Sequence, residues 1–207
     1  MKLQISFDVT DLEFALSTAK QVENFCDTIE IGAVLIHKYG IQAIEQFQKE
    51  LPEKTILADT KILDRGKMIA GVFAQAKVNW ITVMAGAGNN VIHSVCTTAH
   101  DSGVKVMLDL LDAESPGQSA LEAKNLGIDS IIFHSPHDEQ DEMLFLDDWE
   151  IVSGNTDLPI FISAKIKREN VEKIISLKPE GLVIGTSIVT SENPAQEAQF
   201  FYNLLNK

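Results

Sequence analysis

With 207 residues, 45% of them hydrophobic and 23% charged, the chain has the make-up of an ordinary globular protein with enough material for a sizeable core. Its formal net charge of −13, from 17 basic against 30 acidic residues, repels a phosphate backbone and argues against nucleic acid as a partner. No apolar run approaches bilayer length, and the opening MKLQISFDV alternates and carries Asp8, unlike a signal peptide, so a cytoplasmic protein without membrane contact is expected.

In chain order, eight short runs read as strands: LQISFD (3–8), TIEIG (28–32), TILAD (55–59), WITVMA (80–85), VKVMLDLL (104–111), DSIIFH (129–134), LPIFIS (158–163) and GLVIGT (181–186). Between them lie stretches with apolar residues at helical spacing, such as Leu12, Ala15, Leu16, Ala19 and Val22 in the first. Helix starts are signalled by Asp11 before the first helix, Asn89 before the fourth, Ser115–Pro116 before the fifth and Asn193–Pro194 before the last. Near-continuous Val, Ile and Leu within the strands points to burial on both faces, as in parallel strands covered by helices. Strict alternation of eight strands with eight helices predicts an α/β fold, a single (β/α)8 TIM barrel that spans residues 1–207 as one domain. An open doubly wound sheet uses the same alternation. It favours a glycine-rich loop after the first strand, however, and FDVTDLEFA has no glycine there.

In a barrel the reactive groups collect at the carboxyl ends of the strands. Those positions hold Asp8, Glu30, Asp59 with Lys61 and Asp64, Asp109, His134 and Lys165, and the last strand runs out through Gly185, Thr186 and Ser187. A lone carboxylate there is more often a helix cap, and a lone histidine more often structural. Their concurrence on one rim points to a site, because gathered charges need pairing or a cation. Glu30 and Asp59 offer hard oxygen ligands suited to Mg²⁺. Lys61, beside Asp59 and Asp64, stays protonated where an enolate oxygen develops, and His134 titrates near neutrality and can move a proton. Together they suit formation of an enediolate, hence lyase, aldolase or decarboxylase chemistry on a sugar derivative. Cys26 and Cys96 lie far apart and outside any Cys/His cluster, so neither a disulfide framework nor a zinc site is expected.

The stretch ADTKILDRG (58–66) resembles the Asp-x-Lys-x-x-Asp signature of the orotidine-monophosphate decarboxylase suprafamily. More narrowly it is similar to the branch containing 3-hexulose-6-phosphate synthase and 3-keto-L-gulonate-6-phosphate decarboxylase. The similarity runs in family order through LQISFDVTDLEFAL, DTIEIGAVLIHKYG, WITVMAGA, VKVMLDLLD, IIFHSPHDEQ and VIGTSIVTSENPAQEA, nearly the whole chain. The Glu-x-Gly of Glu30 and the His-x-x-x-Asp-x-Gln that starts at His134 add to the signature. The resemblance implies a phosphorylated-sugar substrate, Mg²⁺ as cofactor, and a homodimer with active sites at the subunit interface. It would make Glu30 and Asp59 metal ligands, Lys61 the group that stabilises the enediolate, and His134 the proton-transfer residue. It would also have Asp64 reach into the partner's site and Asp8 touch substrate. Asp109 is an Asp as in the synthases, where the decarboxylases tend to have Glu. The reaction so implied is the reversible aldol addition of formaldehyde to ribulose 5-phosphate.

The chain departs from the family at the phosphate end. The usual Gly-Gly after strand seven is replaced by Ser163-Ala164-Lys165, and the next element reads Gly185-Thr186-Ser187 instead of Gly-Gly or Gly-Arg. A side chain there blocks close backbone approach, while Ser, Thr and Lys165 still offer donors and charge to a phosphate. Two further readings therefore stand beside the synthase: a decarboxylase of a keto-sugar-acid phosphate such as 3-keto-L-gulonate 6-phosphate, and a diverged barrel with a binding or regulatory role.

Overall fold

Successive residues of a strand face opposite ways, and in this protein that period of two sorts the apolar residues into two cores. The computed structural model describes residues 1–135 and 148–206. Its strands are β1 (Lys2–Phe7), β2 (Thr28–Ile31), β3 (Thr55–Ile62), β4 (Trp80–Met84), β5 (Lys105–Asp109), β6 (Ser130–His134), β7 (Ile160–Ser163) and β8 (Gly181–Ile184). Every pairing is parallel, and β8 returns to β1, so the sheet closes as the expected (β/α)8 barrel. One core lies between strands and helices and includes Leu3, Ile5, Phe7, Ile29, Ile31, Ile56 and Ala58. The other fills the barrel interior with Leu57, Met107, Ile132, Phe161 and Val183, and Trp80 packs against it.

The second core positions the site. Two residues further along the same strands, and therefore on the same inward face, stand Asp59, Asp109, His134, Ser163 and Gly185. The apolar plug closes the barrel and carries the polar layer above it. At Gly181 the plug touches the backbone, since a Cβ there would fall 2.5 Å from a Phe161 ring carbon and 2.8 Å from the Lys2 carbonyl.

The alternation is less strict than expected. Among the described residues there are ten α-helices: α1 (Leu12–Val22), α2 (Ala33–Tyr39), α3 (Ile41–Glu50), α4 (Gly66–Gln75), α5 (Asn89–His100), α6 (Pro116–Leu126), α7 (Trp149–Ser153), α8 (Val171–Ile175), α9 (Thr186–Val189) and α10 (Pro194–Leu205). The first β2–β3 helix breaks at Gly40, whose φ of 56° suits glycine and whose N–H caps Ile36, so α2 and α3 follow each other directly. After β8 a four-residue turn of helix precedes α10, which restarts at Asn193–Pro194; Asn193 caps Gln196 N at 3.1 Å. Asp11 caps Phe14 N at 2.9 Å, as expected, but the start of α5 is capped by Gly88 and Asn89 is its first residue.

β3 also runs past its expected end at Asp59. Its register against β4 shifts between Ala58 and Ile62, and Lys61 takes φ 43°, the left-handed region that side chains normally avoid. Thr60 Oγ1 donates to Thr82 O at 2.6 Å and accepts from Thr82 N at 3.2 Å, replacing the ladder bonds lost at the bulge. Among the described residues no helix is long and apolar enough to cross a membrane.

Candidate active site

The polar layer above the plug faces a cavity of about 650 Å³ at the carboxyl end of the barrel. Of the residues singled out from the sequence, Asp8, Glu30, Asp59, Lys61, His134, Lys165, Gly185, Thr186 and Ser187 line it. Asp109 is fully buried below the wall and Asp64 lies outside it. The Asp and Gln of the His134 segment, Asp138 and Gln140, fall outside the described residues, as do Pro136 and His137.

Asp109 joins the two cations of the site. Lys61 Nζ donates to its Oδ2 at 2.8 Å, and His134 Nδ1 lies 3.0 Å from Oδ2 and 3.1 Å from Oδ1. The Leu111 N–H donates to Oδ1 at 2.9 Å. A carboxylate only accepts, so His134 Nδ1 carries the proton, which leaves Nε2 of the neutral ring as the nitrogen able to accept one. Burial alone would raise the Asp109 carboxyl, but His134 and then Lys61 hold it well below the usual carboxylate range. The same contacts act on the partners. Burial pulls Lys61 down, yet the charges of Asp59 and Asp109 raise it above an ordinary lysine, so it stays an ammonium. Burial likewise opposes charge on His134, and Asp109 outweighs it, giving a net upward shift.

Glu30 and Asp59 form the opposite electrostatic case. Glu30 receives the Gln4 side-chain amide at 2.5 Å and the Ser6 hydroxyl at 2.7 Å, and burial followed by the charge of Asp59 pushes it up to about 7. Asp59 is raised as well, chiefly by burial; Thr82 Oγ1 donates to its Oδ1 at 2.8 Å and Lys61 Nζ lies 3.4 Å from its Oδ2. Three buried carboxylates are thus met by two cations, and the shortage falls on the Glu30–Asp59 pair. Among the described residues no three His, Cys, Asp or Glu converge as a preformed metal cage. Two under-compensated carboxylates fit Mg²⁺, which keeps several waters and takes further oxygens from substrate.

The remaining positions have local structural duties as well. Asp8 Oδ1 accepts from Val34 N at 2.8 Å and so caps α2, and a Cβ on Gly32 would lie 2.7 Å from Asp8. Ser187 Oγ donates to Ile166 O at 2.5 Å, which pins the β7–α8 loop over the cavity. Asn170 holds the same loop by accepting from Lys167 N at 2.8 Å and donating to Lys165 O at 3.0 Å. Further out, Arg168 pairs with Glu197 at 2.8 Å and stacks on Phe200 at 4.0 Å. The loop that replaces the family's Gly-Gly is therefore built by side chains, and Lys165 and Lys167 both line the cavity.

Gln4, Ser6 and Thr82 were not singled out from the sequence. Their one signal is a polar residue on the inward face of an otherwise apolar strand.

A ring-proton NMR titration of the metal-free protein should find the His134 midpoint above 6.5, its ordinary value. A raised folded pKa means that the stabilisation from this ion pair is complete below pH 6.5 and is lost as pH rises through the folded pKa. Asp109→Asn should bring the midpoint back down; a wild-type midpoint at or below 6.5 contradicts this assignment.

Comparison with known proteins agrees with the geometry. Residues 1–201 match the orotidine 5'-phosphate decarboxylase / HUMPS family. Over 207 residues, 99% of both chains, the protein is 26% identical to 3-hexulose-6-phosphate synthase of Bacillus subtilis. It superposes on the crystal structure of 3-hexulose-6-phosphate synthase from Salmonella typhimurium with a TM-score of 0.94 at 25% identity, over 100% of this chain and 99% of that one. The structure of 3-keto-L-gulonate-6-phosphate decarboxylase from Vibrio cholerae shares the fold, with a TM-score of 0.85 at 23% identity over 99% and 97% of the two chains. By fold and by sequence along nearly its whole length, this chain belongs to the orotidine 5'-phosphate decarboxylase / HUMPS family of enzymes.

Proposed function

We propose that the protein is an aldehyde-lyase that joins formaldehyde to ribulose 5-phosphate through an enediolate and also runs the reverse cleavage. The observation that carries this reading is Asp109 holding Lys61 and His134 side by side over the cavity, next to a carboxylate pair that lacks positive charge. Similarity to the hexulose-phosphate synthases supports the choice of substrates.

In the synthase direction His134, which Asp109 biases toward the imidazolium, acts from its neutral form, and that ring takes a proton from C1 of ribulose 5-phosphate through Nε2. The electron pair left behind delocalises onto the C2 oxygen as an enediolate, and the Lys61 ammonium stabilises that developing charge. C1 then bonds to the formaldehyde carbon, the carbonyl π pair becomes an alkoxide, and the His134 imidazolium returns the proton to it. Asp109 stays ionised throughout and steadies both cations. Mg²⁺, held by Glu30 and Asp59, would supply further charge stabilisation to the enediolate oxygens. The substrate phosphate is assigned to the wall made by Lys165, Gly185, Thr186 and Ser187, with Lys167 close by, and Asp8 to the sugar hydroxyls. A cytoplasmic site of action, where sugar phosphates reside, goes with this chemistry.

The partner is a second copy of the chain. Leu63, Met68 and Val72 are 56%, 66% and 51% exposed; Leu63 adjoins Asp64 on the β3–α4 turn, and the other two lie on α4, which follows it. Exposed apolar residues so grouped mark an interaction face, and it is the face from which Asp64 would reach another subunit. A carboxy-lyase acting on 3-keto-L-gulonate 6-phosphate is the second reading. It needs the same enediolate cluster, and the support for it is the β7–α8 loop, where side chains stand in place of the synthases' and decarboxylases' usual Gly-Gly.

Purified protein with Mg²⁺ should consume formaldehyde only when ribulose 5-phosphate is present, and Lys61→Ala should cut the rate by about 10²–10³. Formaldehyde loss no greater than that of the Lys61→Ala protein, together with CO2 release from 3-keto-L-gulonate 6-phosphate, would favour the decarboxylase. Multi-angle light scattering should give twice the chain mass at micromolar concentration, with Met68→Asp giving the single mass. A wild-type monomer would remove the interface reading.

A further inference from the structure

The geometry points to Thr82 as a positioning residue that ties the Asp59 carboxylate and the Lys61 backbone into one unit. Thr82 is an inward-facing residue of β4 with no exposed surface. Its hydroxyl accepts from the Lys61 N–H at 2.9 Å and donates to Asp59 Oδ1 at 2.8 Å. A hydroxyl has one proton to give. Because the Lys61 N–H must itself donate, that proton is committed to Asp59, and the polarity of the chain from Lys61 through Thr82 to Asp59 is set.

The arrangement matters because of where it sits. Lys61 has a positive φ and lies within the register shift of β3, where it has no partner in the β3–β4 ladder to hold its backbone in place. A lysine keeps such a conformation only where its surroundings over-determine it. The bond to Thr82 supplies that restraint, and from this backbone position Nζ reaches both Asp109 at 2.8 Å and Asp59 at 3.4 Å. The same oxygen restrains the Asp59 side chain. Loss of the hydroxyl would leave a part-buried N–H and a buried carboxylate oxygen each without this partner. Thr60 provides a useful contrast, since its hydroxyl bonds only the backbone of Thr82 and bears on the bulge, not on the reactive side chains.

The kinetic arm of the test rests on the proposed aldol reaction; the exchange arm does not. Thr82→Val keeps the shape and removes the hydroxyl. It should lower kcat about 10- to 100-fold, the usual cost of losing an outer-shell partner, with KM for ribulose 5-phosphate little changed and the circular dichroism of the wild type. Thr82→Ser should recover most of the rate. Amide hydrogen exchange, read by NMR, should show Lys61 protected in the wild type and in Thr82→Ser. In Thr82→Val it should exchange faster, while the amides of β1 stay protected. Where the wild type is active, Val activity equal to wild type, or Ser no better than Val, overturns the inference. So does a wild-type Lys61 amide that exchanges like an exposed one, whatever the variants do and even if the valine protein does not fold. Wild type without aldol activity but with the exchange pattern intact would sink the proposed reaction and leave the positioning role standing.

Discussion

A fully buried carboxylate with two cations on it is the constraint around which this active end is built. Asp109 has no exposed surface, and an uncompensated charge there would be untenable. Its oxygens are met by Lys61, His134 and the Leu111 N–H, and each partner comes from a different part of the chain: the bulge of β3, the end of β6 and the turn after β5. Closing the barrel brings them together, and the pairing in turn fixes the charge states, with lysine and histidine both driven toward their cationic forms. Removing Asp109 would therefore release both reactive groups at once, although Asp109 does not itself line the cavity.

The electrostatics divide the cavity into two halves with different needs. Around Asp109 the charges are satisfied; around Glu30 and Asp59 they are not, and both carboxyls are pushed upward. Such a split is suited to chemistry in which negative charge grows between the halves, with Lys61 and His134 on one side and two under-compensated carboxylates on the other. The layer below makes this affordable. Gln4 and Ser6 feed hydrogen bonds into Glu30, Thr82 feeds one into Asp59, and the plug of Leu57, Met107, Ile132, Phe161 and Val183 seals the barrel beneath.

Much of this was legible in the sequence, and the missing parts have physical reasons. Strand runs and helical spacing are local patterns, so eight strands and the barrel could be read, together with the residues at their carboxyl ends. Their residue types already pointed Glu30, Asp59, Lys61, Asp64 and His134 to enediolate chemistry, and family resemblance then gave each a role. A register shift has no local pattern, which is why β3 was expected to stop at Asp59 when Thr60 and Thr82 carry it to Ile62. The break at Gly40 was hidden because apolar spacing continues across it. The turn of helix at Thr186–Val189 was hidden because four residues are too few to show a helical period, while the start of the last helix at Asn193–Pro194 was legible. Thr82 and Gln4 act on partners more than 20 residues away, and single polar residues inside apolar strands give little warning of such reach. Ser187 lines the cavity as its position implied, and the bond from its hydroxyl to the Ile166 carbonyl of the neighbouring loop had no signal in the sequence.

The central claim is that this cluster makes an enediolate, and proton exchange at carbon tests it without the second substrate. Ribulose 5-phosphate would be incubated in D2O with the Mg²⁺-loaded protein and no formaldehyde, and the C1 protons followed by NMR. The account predicts deuterium washing into C1 faster than in buffer, with the exchange strongly slowed by Asp109→Asn. A wild-type rate equal to that of buffer would contradict it.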